Sequence, residues 1–276
     1  MRIDQNCMGA IAMCSSRSAE RVMWINQDRV FYAGLLGAPS ARNFGSISLY
    51  VALEGPVRIS VNGGEWETGR VAVVQPYISH RVACDARHIV SIHIEPESVD
   101  SARLPAWLRQ ASGLVAAEDL LERVRSCHAS LLRDEHLVDA PMFEFDDQMF
   151  GQRLPARSVD PRIAHVLDRI CRDPAGQALA QEYAEQVHLS FSRFLHLFKS
   201  EVGASFRSFR TWKRARGLLH YVVDQNCTLT DVALEAGYPD STHFSHSIRQ
   251  VYGLKPKDIF AGSRKLRVIG SRLAPV

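Results

Sequence analysis

The sequence predicts an α+β fold, in which an N-terminal all-β domain is followed by a helical segment and a C-terminal all-α domain. Short apolar runs broken by turn residues extend from Ile47 to about Glu95, as expected for strands. After about residue 117, apolar residues recur at the three- and four-residue spacing of amphipathic helices. The last third contains two similar helix-turn-helix patterns joined by one long helix. We therefore expect the three parts to comprise residues 1–100, 101–155 and 156–270.

The composition is that of an ordinary globular chain. Its 276 residues, 46% apolar and 23% charged, suffice for two domains with their own cores. We find neither an apolar stretch long enough to span a bilayer nor a signal-peptide pattern, so we expect a cytoplasmic protein without membrane contact. The six cysteines include no Cys-x-x-Cys pair, which argues against a zinc knuckle or a disulfide framework. We expect no metal and no cofactor.

The formal net charge of +3 conceals an asymmetry between the two halves. Residues 1–155 contain 15 Arg and no Lys against 19 Asp and Glu, a balance of −4. Residues 156–276 contain 18 basic and 11 acidic residues, a balance of +7. A basic domain attracts phosphate without specifying a sequence. Charge alone fits a nucleic-acid partner and a solvated surface equally well.

The β-rich part is predicted from runs of Val, Ile and Leu bounded by turn residues. Asn62-Gly63-Gly64 lies between two such runs and predicts a hairpin, because Asn and Gly tolerate the positive φ of tight turns. An all-β barrel or sandwich is the expected product. The strand-like runs are residues 46–51, 57–61, 69–74 and 89–94.

Helical spacing begins with an amphipathic segment between Ala117 and Arg133, whose apolar stripe runs from Leu120 to Leu131. We expect this helix to pack on the β domain or on a second copy of the chain, which would make a homodimer. Residues 139–155 have no clear periodicity and are interpreted as a linker. Asp160-Pro161 then predicts a helix start, since Asp caps the free amides and Pro suits the first helical position.

The two helix-turn-helix patterns match with an offset of 49 residues before the turn and 50 after it. Ala184 and Ala233 supply the small residue needed where two helices cross closely. His188 and Gly237 stand where the turn requires positive φ. Ser190 and Asp240 are expected to cap the second helix of each pattern, and one inserted residue within 238–241 accounts for the change of offset.

The second helix of each pattern has a polar outer face, which we interpret as a DNA-reading surface. Ser, Thr and His side chains can bond base edges or phosphates, whereas Leu195 can only make apolar contact, for example with a thymine methyl. A solvated helix face is the alternative for each side chain taken singly. The predicted contacts are Ser192, Leu195, His196 and Lys199 in the first pattern and Ser241, Thr242, Ser245, His246 and Arg249 in the second.

Between the patterns, residues 205–223 predict a long helix with one apolar stripe and several basic residues. Such a helix would fix the spacing of the two reading helices, and recognition helices one helical turn of B-DNA apart, about 34 Å, meet successive major-groove segments. Its basic residues are predicted to contact phosphates rather than bases. They are Arg207, Arg210, Lys213 and Arg214.

At these residues the chain resembles the AraC/XylS family of bacterial transcription regulators. The resemblance covers about residues 158–264 and implies a sequence-specific regulator of double-stranded DNA that recruits or blocks RNA polymerase. Leu195 and His196 depart from it, because family members more often carry polar or basic readers there. The motifs that carry the resemblance are residues 214–219 (RARGLL), 233–238 (ALEAGY), 243–245 (HFS) and 253–256 (GLKP).

The N-terminal part is similar to the cupin-like effector domain of many such regulators. This resemblance implies a cupin-like β-barrel that binds a small-molecule effector or dimerises. Gly69–His80 looks like the second half-motif of a cupin, but residues 55–59 supply no matching His pair. His80, His88 and His93 leave open a metal-dependent cupin enzyme with an accessory helical domain. A methyl-accepting DNA-repair protein shares the helical module but needs clustered cysteines, which this sequence lacks.

Overall fold

The computed structural model describes residues 21–86, 88–133, 142–221, 228–262 and 266–269. Within them, strands form a seven-stranded sheet in the order β10-β1-β2-β8-β3-β6-β9 and a three-stranded sheet in the order β5-β4-β7. Neighbouring strands are antiparallel except β1 and β10, which are parallel. The strands are β1 (Arg21–Ile25), β2 (Arg29–Leu35), β3 (Ile47–Val51), β4 (Val57–Val61), β5 (Glu67–Gly69), β6 (Val71–Val74), β7 (His80–Cys84), β8 (His88–Ile94), β9 (Gly113–Leu114) and β10 (Leu266–Ile269).

The helices begin after β8 and two short 3-10 turns at Pro96–Ser98 and Ser101–Arg103, with β9 between α1 and α2 and β10 after α10. No helix in the described ranges is both long and apolar enough to cross a membrane. The helices are α1 (Ala106–Arg109), α2 (Glu118–Arg133), α3 (Met142–Phe150), α4 (Pro161–Arg172), α5 (Ala180–Gln186), α6 (Phe191–Val202), α7 (Phe206–Tyr221), α8 (Leu229–Glu235), α9 (Ser241–Tyr252) and α10 (Pro256–Gly262).

Both faces of the large sheet are buried, and the alternation of side chains along β3 explains how. Leu49 and its neighbours on one face pack with α1, α2 and α3, whereas Tyr50 faces the three-stranded sheet and the C-terminal helices. The predicted hairpin is confirmed, because the chain turns at Asn62 and Gly63 with φ of 50° and 75°. The predicted amphipathic helix is also confirmed as α2, and its apolar stripe packs inside this chain rather than lying exposed.

Several parts of the fold differ from the sequence expectations. Strand β7 falls outside the predicted runs, and β10 lies in the C-terminal part that was expected to be all-α. Strands β1 and β2 lie before residue 47, where no strand was predicted. The expected linker at 139–155 contains α3, so that expectation is wrong for residues 142–150. The acidic residue Asp146 is buried there and accepts two hydrogen bonds from Arg29, at 2.8 and 3.0 Å. The acidic residues of this segment were interpreted as those of a solvated linker. The partner of Asp146, Arg29, is distant in the sequence, so no local pattern indicates that the carboxylate is buried.

The C-terminal helices share a core with the N-terminal sheets. The ring of Phe44 lies 5.7 Å from that of Trp212 in α7 and 5.4 Å from that of Tyr252 in α9. The backbone amide of Asn43 donates to the carbonyl oxygen of Val251 at 2.8 Å. Strand β10 returns from the C-terminal part to pair with β1. The two parts are therefore joined by packing as well as by the chain.

Some sequence expectations fall outside the described residues. These are the thiols of Cys7, Cys14 and Cys227, the first part of the expected linker, and Val222 and Val223 at the end of the long helix.

Candidate DNA interface

Helices α5 and α6 form one helix pair, here called the first unit, and α8 and α9 form the second unit. The turns of the two units close with the same bond, because the amides of Leu189 and Tyr238 donate to the carbonyl oxygens of Ala184 and Ala233, each at 2.9 Å. The second turn then has one additional residue, Pro239, before the next helix is capped. This single insertion changes the offset from 49 to 50 residues, as the sequence predicted.

The turn conformations predicted from the sequence are confirmed. His188 has φ of 55° and Gly237 has φ of 76°, both in the left-handed region. Gly237 has a second constraint, because a Cβ there would collide with the carbonyl oxygen of Ala175 in the segment before α5. Glycine is thus required in the second unit by packing as well as by φ, whereas the first unit accepts a side chain.

The caps of α6 and α9 are also confirmed. The hydroxyl of Ser190 accepts from the amide of Arg193 at 3.4 Å. The carboxylate of Asp240 accepts from the amides of Thr242 and His243 at 2.7 and 2.8 Å. These bonds, the backbone bond to His243 above all, lower the pKa of Asp240, so the cap is ionised at neutral pH. Each helix ends at a left-handed glycine, Gly203 or Gly253.

The two second helices have the same burial pattern at ten successive positions, residues 191–200 and 241–250. Phe194 and Phe198 are buried in α6, and Phe244 and Ile248 occupy the same places in α9. Most of the predicted reading residues lie exposed on the opposite face, namely Ser192, His196, Lys199, Ser241, Thr242, His246 and Arg249, while Leu195 and Ser245 are half-buried beside them.

Two exposed residues of α6 were missed in the sequence analysis. Phe191 and Arg193 lie at its start, at the positions that Ser241 and His243 occupy in α9. The offset of 50 residues could have identified Phe191, since Ser241 was predicted as a contact and its counterpart was not. It gave no signal for Arg193, because His243 was not predicted either.

The basic residues of α7 do not form one exposed surface. Arg207 is exposed. Arg210 is buried, and its guanidinium donates to the carbonyl oxygens of Gly176 and Ala178, the second at 3.1 Å. Half-buried Arg214 donates to the carbonyl oxygens of Pro174 and Gly176, at 3.3 and 2.9 Å. Arg210 and Arg214 therefore hold the segment between α4 and α5 in place, which corrects their expected role as phosphate contacts.

Lys213 is also not available to phosphate, because it lies at the contact between α7 and the N-terminal sheet. Its side chain is 4% exposed, and its Nζ lies 2.6 Å from Glu95 Oε2 and also contacts Glu97. Glu95 further accepts from Trp212 Nε1 at 2.9 Å, and its Oε1 lies 2.7 Å from Nε of Arg216. We call these five residues the Glu95 cluster.

The charges of the Glu95 cluster influence one another strongly. Burial alone would raise the pKa of Glu95, but Lys213 and Arg216 hold it below its usual range. Burial raises the pKa of Glu97, against the attraction of Lys213. Burial opposes the charged form of Lys213 too, yet the two carboxylates raise its pKa. Glu95 and Lys213 are consequently ionised at neutral pH, and this ion pair connects the two parts of the molecule.

The three imidazoles considered for a metal site do not come together. No group of three His, Cys, Asp or Glu side chains suited to a metal ion occurs in the described part of the chain. Nδ1 of His80 lies 2.8 Å from the carbonyl oxygen of Ile78 and must donate, so Nε2 accepts from the hydroxyl of Tyr50 at 2.7 Å. Nδ1 of His93 lies 3.0 Å from the hydroxyl of Ser46. Burial lowers the pKa of His80 to about 4 and that of His93 to about 3.

Comparison with known proteins indicates which class of protein this chain belongs to. A family described as a helix-turn-helix domain, of the AraC type, matches residues 183–262. This range includes both α6 and α9. The match and the two capped helix pairs identify the chain as a DNA-binding transcription regulator. Its C-terminal part carries an AraC-type helix-turn-helix domain. No curated protein matches the sequence.

Solved structures share the fold over most of the chain. An apo form of ToxT from Vibrio cholerae strain SCE256, in which one lysine is replaced by alanine, superimposes with a TM-score of 0.56 at 10% identity, covering 86% of this chain and 98% of that one. Wild-type ToxT of the same strain, with an unsaturated fatty acid bound, gives a TM-score of 0.53 at 10% identity and covers 86% and 96%. ToxT from Vibrio cholerae O395 gives 0.53 at 9% identity, with 86% and 98% covered.

Proposed function

We propose that the chain binds an operator in duplex DNA with both units, so that α6 and α9 enter successive major-groove segments on one face of the helix. The observation that supports this is the equivalence of the two units, which share turn bonds, caps and the burial pattern of the second helix. Helix α7 connects them and acts as the spacer. Recognition helices one helical turn apart read adjacent major-groove segments.

The proposed contacts divide by chemistry. Ser192, His196, Thr242, Ser245 and His246 read base edges or phosphates by hydrogen bonds, and Arg249 is suited to bidentate bonding of a guanine. Leu195 makes apolar contact, and Ser241 in the first turn of α9 bonds a base edge or a nearby phosphate. Lys199 and exposed Arg207 contact phosphates. Arg210, Lys213 and Arg214 position the helices instead of touching DNA.

For the N-terminal part we propose a cupin-like barrel, formed by the two sheets, that controls the DNA-binding part. Two forms of control are open: a small-molecule effector, or association into a homodimer. A fatty acid is bound in one ToxT structure of the same fold. The apolar stripe of α2 is buried in the core of this chain, so a homodimer would have to form through another surface. Residues 1–100, 101–155 and 156–270 remain the proposed parts, with β10 an extension of the first.

The bound chain would then act on RNA polymerase in the cytoplasm, where the operator is accessible. Activation and repression are equally compatible with this proposal, because both follow from occupancy of a promoter region.

The test is selection of a binding site from a random duplex library with the full chain. We expect one enriched sequence with two conserved segments and an affinity that falls steeply with salt. Arg249→Ala should relax the preference at one base pair by about 1–3 kcal/mol, and Arg207→Ala should weaken all sequences about equally. Gln250→Ala, exposed on the same helix and absent from the proposed contacts, is the matched control. Enrichment of no sequence over random DNA would refute the proposal.

A further inference from the structure

The outward face of α6 carries an apolar strip that α9 lacks. Phe191 and Leu195 stand where Ser241 and Ser245 stand in α9, at the offset of 50 residues. Phe191 is 45% exposed although it is a large apolar residue, and Leu195 is half-buried. Residues four apart lie on the same face of a helix, so these two side chains are neighbours on the surface. We refer to them as the α6 strip.

The α6 strip is part of an open groove between α6 and the first residues of α5 and α7. Phe206 lines this groove from the side of the core, and its ring packs 5.5 Å from that of Phe194 and 5.3 Å from that of Phe198. Because Phe206 is fixed by those rings, the apolar surface is preformed. The remaining lining residues are Ala180, His196, Lys199, Ser205 and Arg207.

The second unit has a different chemistry at the same places. The positions equivalent to Phe191 and Leu195 are Ser241 and Ser245, whose side chains end in hydroxyl groups, while Ala180 and Phe206 correspond to the apolar residues Leu229 and Pro256. The difference between the units therefore lies on the outer face of the second helix, which is apolar in α6 and polar in α9 at these two positions. Burial patterns are the same in both helices, so the difference is one of side chains and not of orientation.

The charges around the α6 strip indicate what covers it. Lys199 and Arg207 line the groove and are exposed, and Arg193 is exposed on the same turn as Phe191. An apolar surface bordered by cations complements a partner with apolar groups between anions. The major groove of DNA has this composition, because the C5-methyl of thymine projects from the base edge between the two phosphate backbones.

We propose that α6 reads thymine methyl groups through Phe191 and Leu195, whereas α9 reads its segment by hydrogen bonds. This inference rests on the proposed function, since it requires α6 to lie in the major groove. Phe191 is at the N-terminal end of α6, the end that meets base edges in helix-turn-helix proteins. Lys199 and Arg207 contact the phosphates on the rim. The operator segment under α6 is thus selected by apolar contact and contains thymines at the contacted positions.

The test removes the methyl groups and nothing else. A duplex selected from a random library by the full chain is prepared with uracil in place of each thymine in turn. The segment under α6 is identified as the one whose footprint weakens in His196→Ala. We expect an affinity loss of about fourfold for each contacted methyl, from roughly 0.8 kcal/mol for a buried carbon. Thymines in the segment under α9 should tolerate the exchange.

Matched variants distinguish the residues. Phe191→Ser combined with Leu195→Ser gives α6 the residues of α9 at one exposed and one half-buried position, and the fully buried residues of the first unit are retained. This variant should bind thymine and uracil duplexes equally. Ser241→Ala combined with Ser245→Ala, the equivalent change in α9, should keep the full preference for thymine under α6.

Two results overturn the inference, and the second has a further reading. If the wild-type chain binds every uracil duplex as tightly as the thymine duplex, α6 does not read thymine methyl groups. A serine double variant that keeps the preference for thymine contradicts the assignment to Phe191 and Leu195. If that variant keeps the preference but loses self-association or a protein contact, the strip binds protein. In each case the selected site stands, whereas a chain that selects no site refutes the proposed function itself.

Discussion

Among single residues, Glu95 contributes most to the contact between the N-terminal sheets and the C-terminal helices. It is 1% exposed and its two oxygens face Trp212, Lys213 and Arg216. Removing one member of a buried charged group leaves the others without compensation, which costs more than the intact pair contributes.

Glu95→Gln should therefore destabilise the protein by about 3–5 kcal/mol, because Lys213 and Arg216 would remain buried with half of their countercharge gone. Urea unfolding followed by circular dichroism measures this change. Glu65→Gln, an exposed residue of the β4–β5 connection, is the control and should have almost no effect. A loss below about 1 kcal/mol for Glu95→Gln would show that the cluster is solvated in solution.

His93 should make the fold sensitive to mild acid. Its pKa is lowered by burial to about 3, whereas an unfolded histidine titrates near 6.5. Between these values the unfolded chain binds the additional proton, so the free energy of unfolding falls as pH decreases. Each such histidine contributes up to about 1.4 kcal/mol per pH unit. His93→Asn should lower the slope between pH 6 and 4 by that amount in urea titrations at several pH values, and an unchanged slope would contradict this account.

At the scale of the element, the turns of the two units differ in what they tolerate. Gly237→Ala should cost more than about 1 kcal/mol, since it combines left-handed strain with a collision against the carbonyl of Ala175. His188→Gly should change stability by less than about 0.5 kcal/mol, because relief of strain is offset by a more flexible unfolded chain. Thermal unfolding of both variants checks the asymmetry, and equal effects would disprove it.

Regular elements with local signals were predictable from sequence, and elements fixed by distant partners were not. The caps of α6 and α9, the hairpin at Asn62-Gly63 and the stripe of α2 depend on nearby residues, and their patterns predicted them. Lys213 lies off the apolar stripe of α7 and was interpreted as exposed. The burial of Lys213 depends on Glu95, which lies 118 residues away in the sequence. The periodicity of α7 therefore does not indicate it.

The same reason explains what was missed in the candidate site. Arg210 and Arg214 bond to backbone carbonyls of the segment before α5, and no side-chain pattern reports backbone acceptors. Phe191 was overlooked because a large apolar residue on a helix is usually buried, although its equivalence to Ser241 predicts the outer face, where the structure places it.

At the scale of the whole molecule, the two units are attached differently to the N-terminal part. The first unit has a core of its own with α4 and Phe209 of α7. The second unit shares the core of the N-terminal sheets through Phe244 and Ile248, in a cluster that also contains Trp212 of α7. A change in the N-terminal part would thus reach α9 directly, whereas it would reach α6 through the helices packed between them, among them α7.

Hydrogen exchange should reveal this difference. Amides of α5 and α6 are expected to exchange in a cooperative group separate from that of the sheets, whereas α9 exchanges with the sheets. Glu95→Gln should speed exchange in α7 and α9 more than in α6. A single cooperative group that includes both units would contradict the separation of their cores.

The claim that both units read DNA is tested most directly by hydroxyl-radical footprinting of the full chain on its selected duplex. The account predicts two protected segments on one face of the helix, about 10 base pairs apart. His196→Ala should weaken one of them and His246→Ala the other. A single protected segment, or two segments that both depend on the same histidine, would contradict it.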